Sequence, residues 1–394
     1  MFNRTASEEF ERLMAQYPVV TITGPRQSGK STIVKTMYPN KPYYNLENPD
    51  TRSIIEADPK QFLSNIDLQK GVILDEIQRA PELLSYIQGI VDENRVPGSF
   101  VLTGSHQLQL SGAISQSLAG RTALLELLPL SINELKQNEK NYTLDEYLLN
   151  GFFPAIYQHN LDSMTHSRNY IKTYLERDVR QLINIKDLHA FQRFIALCAA
   201  RIGSTINYNS LSNEAGVALN TIKSWISILE ASYLTFELQP YFENFGKRVI
   251  KAPKLYFSDV GIASYLLKIR SVDQMNLDKL RGHLFENMVI IEILKNYYNR
   301  GKDADIYFYR DSNQNEVDVI LQVHDKLIPI EIKSTATFRP ELLKGVHYFQ
   351  SVVSDRAPIG FLIYNGEQEM TINNIHVINF KNIHLLMNII ENIK

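Results

Sequence analysis

The order of apolar and polar positions indicates an α/β domain in the first part of the chain. Short apolar runs at 19–23, 72–74 and 99–103 are separated by segments in which apolar residues recur at helical spacing. Continuous apolar runs of this kind are typical of parallel strands that helices cover on both faces. We therefore predict a parallel sheet with flanking helices over residues 1–140.

The middle of the chain changes to a helical pattern and then to the pattern of a winged helix. Apolar residues recur at helical spacing over 143–200. Three helical segments within 188–258 are then accompanied by strand-like runs at 233–238 and 254–257, which would form a wing. We predict a helical and winged-helix module at 141–275.

A long apolar helix followed by β-rich runs indicates a third domain at 276–394. The helix begins near Gly282, and the β-rich runs cover 305–310, 316–322 and 326–333 with polar turns between them. The predicted fold class is therefore α/β, with a parallel sheet, a winged-helix module and a second α/β domain.

Length and composition exclude several classes of protein. The 394 residues suffice for two or three domains of about 100–200 residues. A balance of 41 basic and 43 acidic residues, a net charge of −2, excludes a histone-like polycation and an acidic disordered tail. The one cysteine, Cys198, excludes intramolecular disulfides and a cysteine-rich zinc site. Because no signal peptide and no stretch of roughly 18 apolar residues is present, we expect a cytoplasmic protein without a membrane partner.

The segment after the first apolar run matches a phosphate-binding loop. Gly24 and Gly29 are separated by four residues and are followed by Lys30 and Ser31 at the start of a helical pattern. The glycines let backbone N–H groups face phosphates, and the helix N-terminus adds its positive dipole end. We predict that Lys30 contacts the β- and γ-phosphates of ATP and that Ser31 ligates Mg²⁺. The predicted nucleotide-binding residues are Gly24, Pro25, Arg26, Gln27, Ser28, Gly29, Lys30, Ser31 and Thr32.

Two adjacent carboxylates end the apolar run at 72–74. Ligands gather at the carboxyl ends of parallel strands, so Asp75 and Glu76 are expected near the phosphates. We predict that Asp75 holds Mg²⁺ and that Glu76 polarises the attacking water. Such a pair favours hydrolysis of ATP over transfer of its phosphate to a small molecule. The alternative is a solvated acidic turn.

Two further candidates follow the third apolar run. Ser105, or Thr103, is predicted to sense the γ-phosphate and orient the water, unless the hydroxyl only caps the next helix. Arg121, in a glycine turn, is a candidate arginine finger for the γ-phosphate of its own or of a neighbouring subunit. The alternative is a surface arginine that pairs with Glu126 or with a backbone carbonyl.

Five short motifs occur in order along the chain: GPRQSGKST, ILDEIQ, LTGSHQ, LAGR and PLSINEL. They resemble the AAA-type prokaryotic P-loop ATPases whose C-terminal half is a domain of unknown function, DUF4143. The resemblance covers essentially the whole chain. It implies an extra strand between the phosphate-loop strand and the acidic-pair strand, and Tyr43–Leu46 fits that strand. It also implies a homo-oligomer such as a ring, in which Arg121 would act in trans, but it supplies no substrate.

The middle module carries charged residues of two kinds. Those at 176–178 are expected to pair along a helix, with the nucleotide cleft or a subunit contact as the alternative. The third helical segment of the winged helix would offer Lys223, Ser224 and Ser227 to DNA bases, and its wing would offer cations to DNA phosphates. The wing cations are Lys247, Arg248, Lys251 and Lys254. The alternative is a winged helix used for packing or protein contact.

The third domain carries a pattern of acids and a lysine. Glu331 and Lys333 share one face of a strand, Asp318 lies near the start of the preceding strand, and Glu286 lies on the long helix. This pattern resembles the PD-(D/E)xK, restriction-endonuclease-like fold. The resemblance implies Glu286, Asp318 and Glu331 as ligands of Mg²⁺ or Mn²⁺, and Lys333 as the catalytic lysine that positions or activates water. The alternatives are ordinary surface acids in a hairpin and a fold used for binding alone.

Together these features predict an ATP-binding and ATP-hydrolysing enzyme that acts on DNA and has a metal-dependent, nuclease-like C-terminal domain. One alternative is an ATP-switched regulator that binds DNA or protein and whose nuclease fold is catalytically silent. Another is an ATPase that remodels proteins without nucleic acid. The net charge of −2 predicts a modest, salt-sensitive affinity for DNA that needs several subunits or ATP to become useful.

Overall fold

The structure, a computed structural model, forms two compact units. It describes residues 2–105, 117–137, 140–174, 187–242 and 252–391. The segments of unit 1 are Met1–Leu130, Ala231–Tyr233 and Tyr297–Asp303. The segments of unit 2 are Ser131–Glu230, Leu234–Asn296 and Ala304–Lys394. The boundaries of the three predicted domains stay predictions.

Two groups of predicted charges lie outside the described residues. They are the charges at 176–178 and the wing cations Lys247, Arg248 and Lys251. Their predicted roles therefore stay predictions.

Unit 1 is built on a parallel sheet of five strands, which confirms the α/β class predicted for this part of the chain. The strands are β1 (Val19–Thr23), β2 (Tyr43–Asn45), β3 (Val72–Asp75), β4 (Phe100–Gly104) and β5 (Thr122–Glu126). They pair in the order β2-β3-β4-β1-β5. The helices are α1 (Ala6–Gln16), α2 (Lys30–Met37), α3 (Pro49–Ala57), α4 (Pro59–Ser64) and α5 (Leu83–Glu93), with a short 3₁₀ helix at Ile77–Arg79.

Alternate residues of the strands enter two separate apolar cores. On β3, Val72 and Leu74 pack into one cluster of buried residues and Ile73 packs into the other. Successive side chains of a strand point to opposite faces, so a sheet that is covered on both faces needs an unbroken apolar run. The run on β3 ends at Asp75, which places a carboxylate at the carboxyl edge of the sheet.

The extra strand lies elsewhere than the sequence predicted. The strand between β1 and β3 is β4, whereas Tyr43–Asn45 forms β2 at the edge of the sheet, beside β3. The side chains of β2 are half-buried, as befits an edge, and those of β4 are buried throughout. Parallel strands are joined by long crossover connections, so the order of strands along the chain does not reveal their order in the sheet.

Unit 2 combines helices with two sheets. Its helices are α6 (Ile132–Lys136), α7 (Leu144–Asn150), α8 (Pro154–Gln158), α9 (Ser163–Tyr174), α10 (Leu188–Ala199), α11 (Tyr208–Ala215), α12 (Leu219–Ala231), α13 (Val260–Leu266), α14 (Val272–Leu277), α15 (Arg281–Tyr298), α16 (Lys344–Val353) and α17 (His384–Ile390). Short 3₁₀ helices lie at Pro340–Leu343, Ser354–Arg356 and Phe380–Asn382. None of the helices in the described part of the chain has the length and apolar character of a membrane span.

The strands of unit 2 form an antiparallel pair and a mixed sheet of six. The pair is β6 (Thr235–Leu238) with β7 (Lys254–Phe257). The six strands are β8 (Ile306–Arg310), β9 (Glu316–Val323), β10 (Lys326–Lys333), β11 (Gly360–Tyr364), β12 (Met370–Ile372) and β13 (Ile375–Asn379), in the order β12-β13-β11-β10-β9-β8. The three predicted β-rich runs correspond to β8, β9 and β10, and the short hairpin of β12 and β13 was not predicted.

The segment predicted to be a winged helix contains α10, α11, α12 and the antiparallel pair. Helix α11 ends at Gly216 with φ +74°, in the left-handed conformation that favours glycine at this position. Lys254 on β7 is 2% exposed. Because a buried ammonium cannot contact a DNA phosphate, the role predicted for Lys254 in the wing is wrong. The winged-helix assignment itself stays a prediction.

Candidate functional site

The predicted phosphate-binding loop connects β1 to α2 in unit 1. Gly24 has φ +143°, and a Cβ atom there would lie 2.2 Å from the carbonyl oxygen of Leu127. Gly29 has φ +100°, and Gln27 between them has φ +60°. The loop therefore needs glycine at both motif positions, for conformation at each and for space at Gly24.

The side chain of Lys30 lies back over this loop. Its ammonium donates hydrogen bonds to the carbonyl oxygens of Gly24, at 2.9 Å, and Pro25, at 2.7 Å. Burial lowers the pKa of Lys30 to about 8, although the charges of Glu76 and Asp75 oppose this. Two carbonyl groups of the loop thus hold the ammonium in place, and phosphate oxygens can replace them as its hydrogen-bond acceptors.

Asp75, at the end of β3, is surrounded by hydroxyl groups. The Ser31 hydroxyl donates to its two carboxylate oxygens at 3.0 and 2.9 Å. The hydroxyls of Thr103 and Tyr43 also donate to this carboxylate. Burial and the neighbouring carboxylate raise the pKa of Tyr43, so its hydroxyl keeps its proton. The structure brings the two predicted magnesium ligands of this site, Ser31 and Asp75, into contact.

Glu76 is held by neighbours on two sides. Its backbone is left-handed, with φ +60°, a conformation that costs energy in a residue with a side chain. The Ser105 hydroxyl donates to its carboxylate at 3.2 Å, and the Gln78 amide donates to the same oxygen. The Glu76 N–H donates to the Thr103 hydroxyl at 3.2 Å. Both hydroxyl candidates, Ser105 and Thr103, therefore lie beside the acidic pair.

A second cluster joins acids and lysines in unit 2. The Lys333 ammonium on β10 lies 2.8 Å from Asp318 on β9 and 2.6 Å from Glu331. Burial alone would lower the pKa of Lys333, but the charges of Asp318 and Glu331 raise it above its ordinary value. Burial, together with the charge of Asp318, raises the pKa of Glu331 well above its ordinary value. Three of the four predicted residues are thus in contact.

The fourth predicted residue, Glu286 on α15, contacts a different lysine. The Lys254 ammonium lies 3.0 Å from Glu286 and 2.6 Å from Glu316. The Tyr256 hydroxyl donates to the Glu286 oxygen that Lys254 contacts. Across the residues that the structure describes, no group of three or more His, Cys, Asp or Glu side chains is arranged to hold a metal ion.

Comparison with known proteins places the chain in a family. Three domain families match consecutive segments: an AAA domain at 16–136 and domains of unknown function DUF8612 at 141–273 and DUF4143 at 281–383. The uncharacterized protein Rv2008c of Mycobacterium tuberculosis is 30% identical over 339 residues, which cover 85% of this chain and 74% of that protein. The chain belongs to the AAA-domain ATPases with a C-terminal DUF4143 domain.

Two further proteins are similar to this chain. An uncharacterized protein of Haemophilus influenzae is 24% identical over 348 residues, which cover 80% of this chain and 82% of that protein. Among solved structures, the Walker-type ATPase of Pyrococcus abyssi matches with 15% identity over 68% of this chain and 96% of its own, at a TM-score of 0.43. The resemblance stated from the five sequence motifs is confirmed by the AAA and DUF4143 matches.

Two further side chains, Arg4 and Gln78, contact the phosphate-binding loop and the acidic pair and were not predicted from the sequence. Arg4 donates to the carbonyl oxygens of Ser28, at 2.6 Å, and Leu128, at 2.7 Å, and so fixes the outer side of the loop. Gln78 donates to Glu76 and, at 3.4 Å, to the Ser105 hydroxyl. Gln78 was considered only as the last residue of the ILDEIQ motif, and Arg4 precedes every motif, so neither was linked to the loop or to the acidic pair.

Arg121 lies at the amino end of the strands, whereas the phosphate-binding loop lies at their carboxyl end. Thr122 pairs with Val19 at the start of β1, whereas the loop follows the end of β1. At about 3.3 Å per residue, the two ends are about 15–20 Å apart. Arg121 pairs with Asp92 at 2.6 Å and donates to the carbonyl oxygen of Ala119. Of the two contacts in the alternative, the backbone carbonyl is present and Glu126 is replaced by Asp92. The structure does not place Arg121 beside the loop of its own subunit, and an arginine finger acting in a neighbouring subunit stays a prediction.

Replacing Gln78 by alanine should lower kcat for ATP about tenfold and leave KM nearly unchanged. The change removes one charge-assisted hydrogen bond from Glu76, about 1.5–3 kcal/mol, and lets the carboxylate leave its position beside Ser105. Steady-state ATP hydrolysis measures both constants. Gln69→Ala, at an exposed position, is the matched control. A rate equal to or above that of the wild type would contradict a positioning role for Gln78.

Proposed function

We propose that the protein hydrolyses ATP at the carboxyl edge of its parallel sheet, with a separate role for each side chain. Lys30 would bind the β- and γ-phosphates, and Glu76 would take the proton of the attacking water. Ser105 and Gln78 would hold Glu76 in position. The observation that carries the proposal is the contact of Ser31 with Asp75 directly beside the left-handed Glu76.

Magnesium fits this site because its donor groups are hard oxygens. Ser31 and Asp75 would hold the ion, directly or through water, and Thr103 and Tyr43 orient the Asp75 carboxylate. When bound, the ion neutralises charge on the phosphates. The residues of the chain then hold ATP and remove the proton from water.

We also propose that ATP turnover is coupled to DNA binding by the middle module. On α12, Ile222, Ile226 and Leu229 are buried. The opposite face, with Lys223, Ser224 and Ser227, is exposed, as a helix that reads DNA requires. One lysine is a modest contribution to affinity, so we expect weak binding that rises with the number of subunits.

The acids of the C-terminal sheet support binding without cleavage better than they support a nuclease. Glu286, one of the three predicted metal ligands, already pairs with Lys254 at 3.0 Å, and Asp318 already pairs with Lys333 at 2.8 Å. We therefore favour the regulator whose nuclease-like fold is silent. Metal-dependent DNA cleavage is the rival proposal.

Double-stranded DNA should raise the ATP turnover of the wild type, and Lys223→Ala should weaken DNA binding at every salt concentration. If Lys223 contacts a phosphate, its loss reduces the slope of log Kobs against log salt by about 1. Fluorescence anisotropy at several salt concentrations measures the slope, with Lys279→Ala at another exposed position as the control. Turnover that no DNA form changes would favour the protein-remodelling alternative.

The rival proposal has its own test. Incubation of the wild type with ATP, Mn²⁺ and supercoiled, linear and forked DNA should yield no cut product if the fold is silent. Cleavage that disappears in Lys333→Ala would overturn this proposal in favour of the nuclease.

A further inference from the structure

Lys254 is a buried cation at the centre of the acids of unit 2. It is 2% exposed and is the first residue of β7, whose other residues are also buried. Its ammonium lies 3.0 Å from Glu286 on α15 and 2.6 Å from Glu316 on β9. The ring of Phe308, whose centroid is 5.3 Å away, adds a cation–π contact.

The surroundings of Lys254 keep it charged. Its ammonium contacts carboxylates of two different elements, Glu286 at 3.0 Å and Glu316 at 2.6 Å, and opposite charges at such distances favour the charged form of a lysine. The Tyr256 hydroxyl donates to Glu286 and so completes the shell of the carboxylate on that side. The ammonium therefore acts as a permanent positive charge at this position.

The acids of the cluster are matched by cations of the protein. The four carboxylates are Glu286, Glu316, Asp318 and Glu331. The facing cations are Lys254, Lys333 and Arg310, of which Arg310 lies 3.3 Å from Glu316. A divalent ion would enter a cluster that already carries nearly balanced charge. It would also be repelled by the buried ammonium of Lys254 and by the partly exposed ammonium of Lys333, and such repulsion is strongest where water is excluded.

We infer that Lys254 is the resident cation of this acid cluster and takes the place that a divalent metal ion holds in a nuclease. The inference deepens the proposal of a silent nuclease-like fold and rests on it. The acids that resemble a metal site are then structural partners of two lysines. Removing Lys254 alone would leave the buried Glu286 without its lysine and Glu316 with Arg310 alone, and a divalent ion would then be the natural replacement.

Wild-type protein without nucleotide should show no Mn²⁺ binding at this cluster, and Lys254→Met should gain it. Mn²⁺ binding is measured by electron paramagnetic resonance on the full chain, and the melting temperature is followed with and without Mn²⁺. We expect Lys254→Met to melt on the order of 10 °C lower than the wild type and to regain part of that loss with Mn²⁺. Lys254→Arg, which keeps the charge, should neither gain Mn²⁺ binding nor respond to Mn²⁺ in melting.

Two further variants assign any Mn²⁺ that the wild type binds. Binding that disappears in Asp75→Asn belongs to the ATP site and leaves the inference standing. Binding that persists in Asp75→Asn and disappears in Asp318→Asn overturns it. This titration decides the question even if Lys254→Met does not fold. Because neither DNA nor ATP is present, its outcome is independent of whether DNA stimulates ATP turnover.

Discussion

Replacing Lys30 by alanine is expected to lower ATP turnover about 10²–10³-fold, the effect of removing one preorganised group that stabilises developing charge in a transition state. The ammonium lies over the phosphate-binding loop, 2.9 Å from the Gly24 carbonyl oxygen and 2.7 Å from that of Pro25. In the complex with ATP it would exchange these carbonyls for phosphate oxygens. Its loss therefore weakens both ATP binding and the chemical step, which steady-state kinetics and a fluorescent-nucleotide titration measure separately.

The free energy of unfolding should change far less than turnover in the same variant. Lys30 is 5% exposed, so it is not the surface side chain that a loop position suggests. Burial nevertheless lowers its pKa to about 8, which means that the charged form is poorly solvated in the folded state. Loss of its two hydrogen bonds is partly offset by removal of that charge, and we expect a net change of about 1 kcal/mol in urea denaturation.

The exposed Lys60→Ala is the matched control for Lys30→Ala and should retain full activity. If Lys30→Ala hydrolyses ATP at the wild-type rate, the nucleotide site has been assigned to the wrong residues. If it fails to melt cooperatively, Lys30→Met, which keeps the buried stem of the side chain, decides between loss of fold and loss of function.

The nucleotide site was readily predicted because its parts are contiguous in sequence. Residues 24–32 form one loop and one helix start, and the acids Asp75 and Glu76 follow directly from a buried strand. Contiguous residues fix local backbone geometry, and the shared carboxyl edge of a parallel sheet then brings the two motifs together. The apolar runs predicted the strands because a strand that is buried on both faces of a sheet needs consecutive apolar residues, and these are visible in the sequence.

The features that the sequence did not reveal depend on residues that meet only after folding. Arg4 donates to the carbonyl oxygen of Leu128, 124 residues away in sequence. Lys254, on β7, contacts Glu286 on helix α15 and Glu316 on β9, a strand of the other sheet. Lys254 is one of the predicted wing cations, and this grouping suggested a contact with DNA phosphate. Its strand is buried, however, and its ammonium contacts acids inside the protein. The order of the strands in the sheet could not be predicted from the sequence either. The distance between Arg121 and the phosphate-binding loop therefore could not be predicted.

Glu76→Gln should lower kcat about 10²–10⁴-fold while ATP binds as tightly as in the wild type, because the amide keeps the shape of the side chain but cannot accept a proton from water. The fold should tolerate the change. The amide oxygen can still accept from the Ser105 hydroxyl, and from Gln78 as the carboxylate does now. Glu82→Gln, at an exposed position near the acidic pair in sequence, is the matched control.

Comparison of Glu76→Gln with Lys30→Ala separates proton removal from phosphate binding. The first variant should bind a fluorescent ATP analogue with a wild-type Kd and fail in turnover, whereas the second should fail in both. A Glu76→Gln variant with more than about a tenth of wild-type kcat would mean that the water loses its proton to another group, since general-base catalysis contributes at least 10²-fold. Loss of ATP binding in that variant would instead place Glu76 among the groups that hold the nucleotide. Either result would also change the role of Gln78, whose contact with Glu76 is the reason for its predicted effect on kcat.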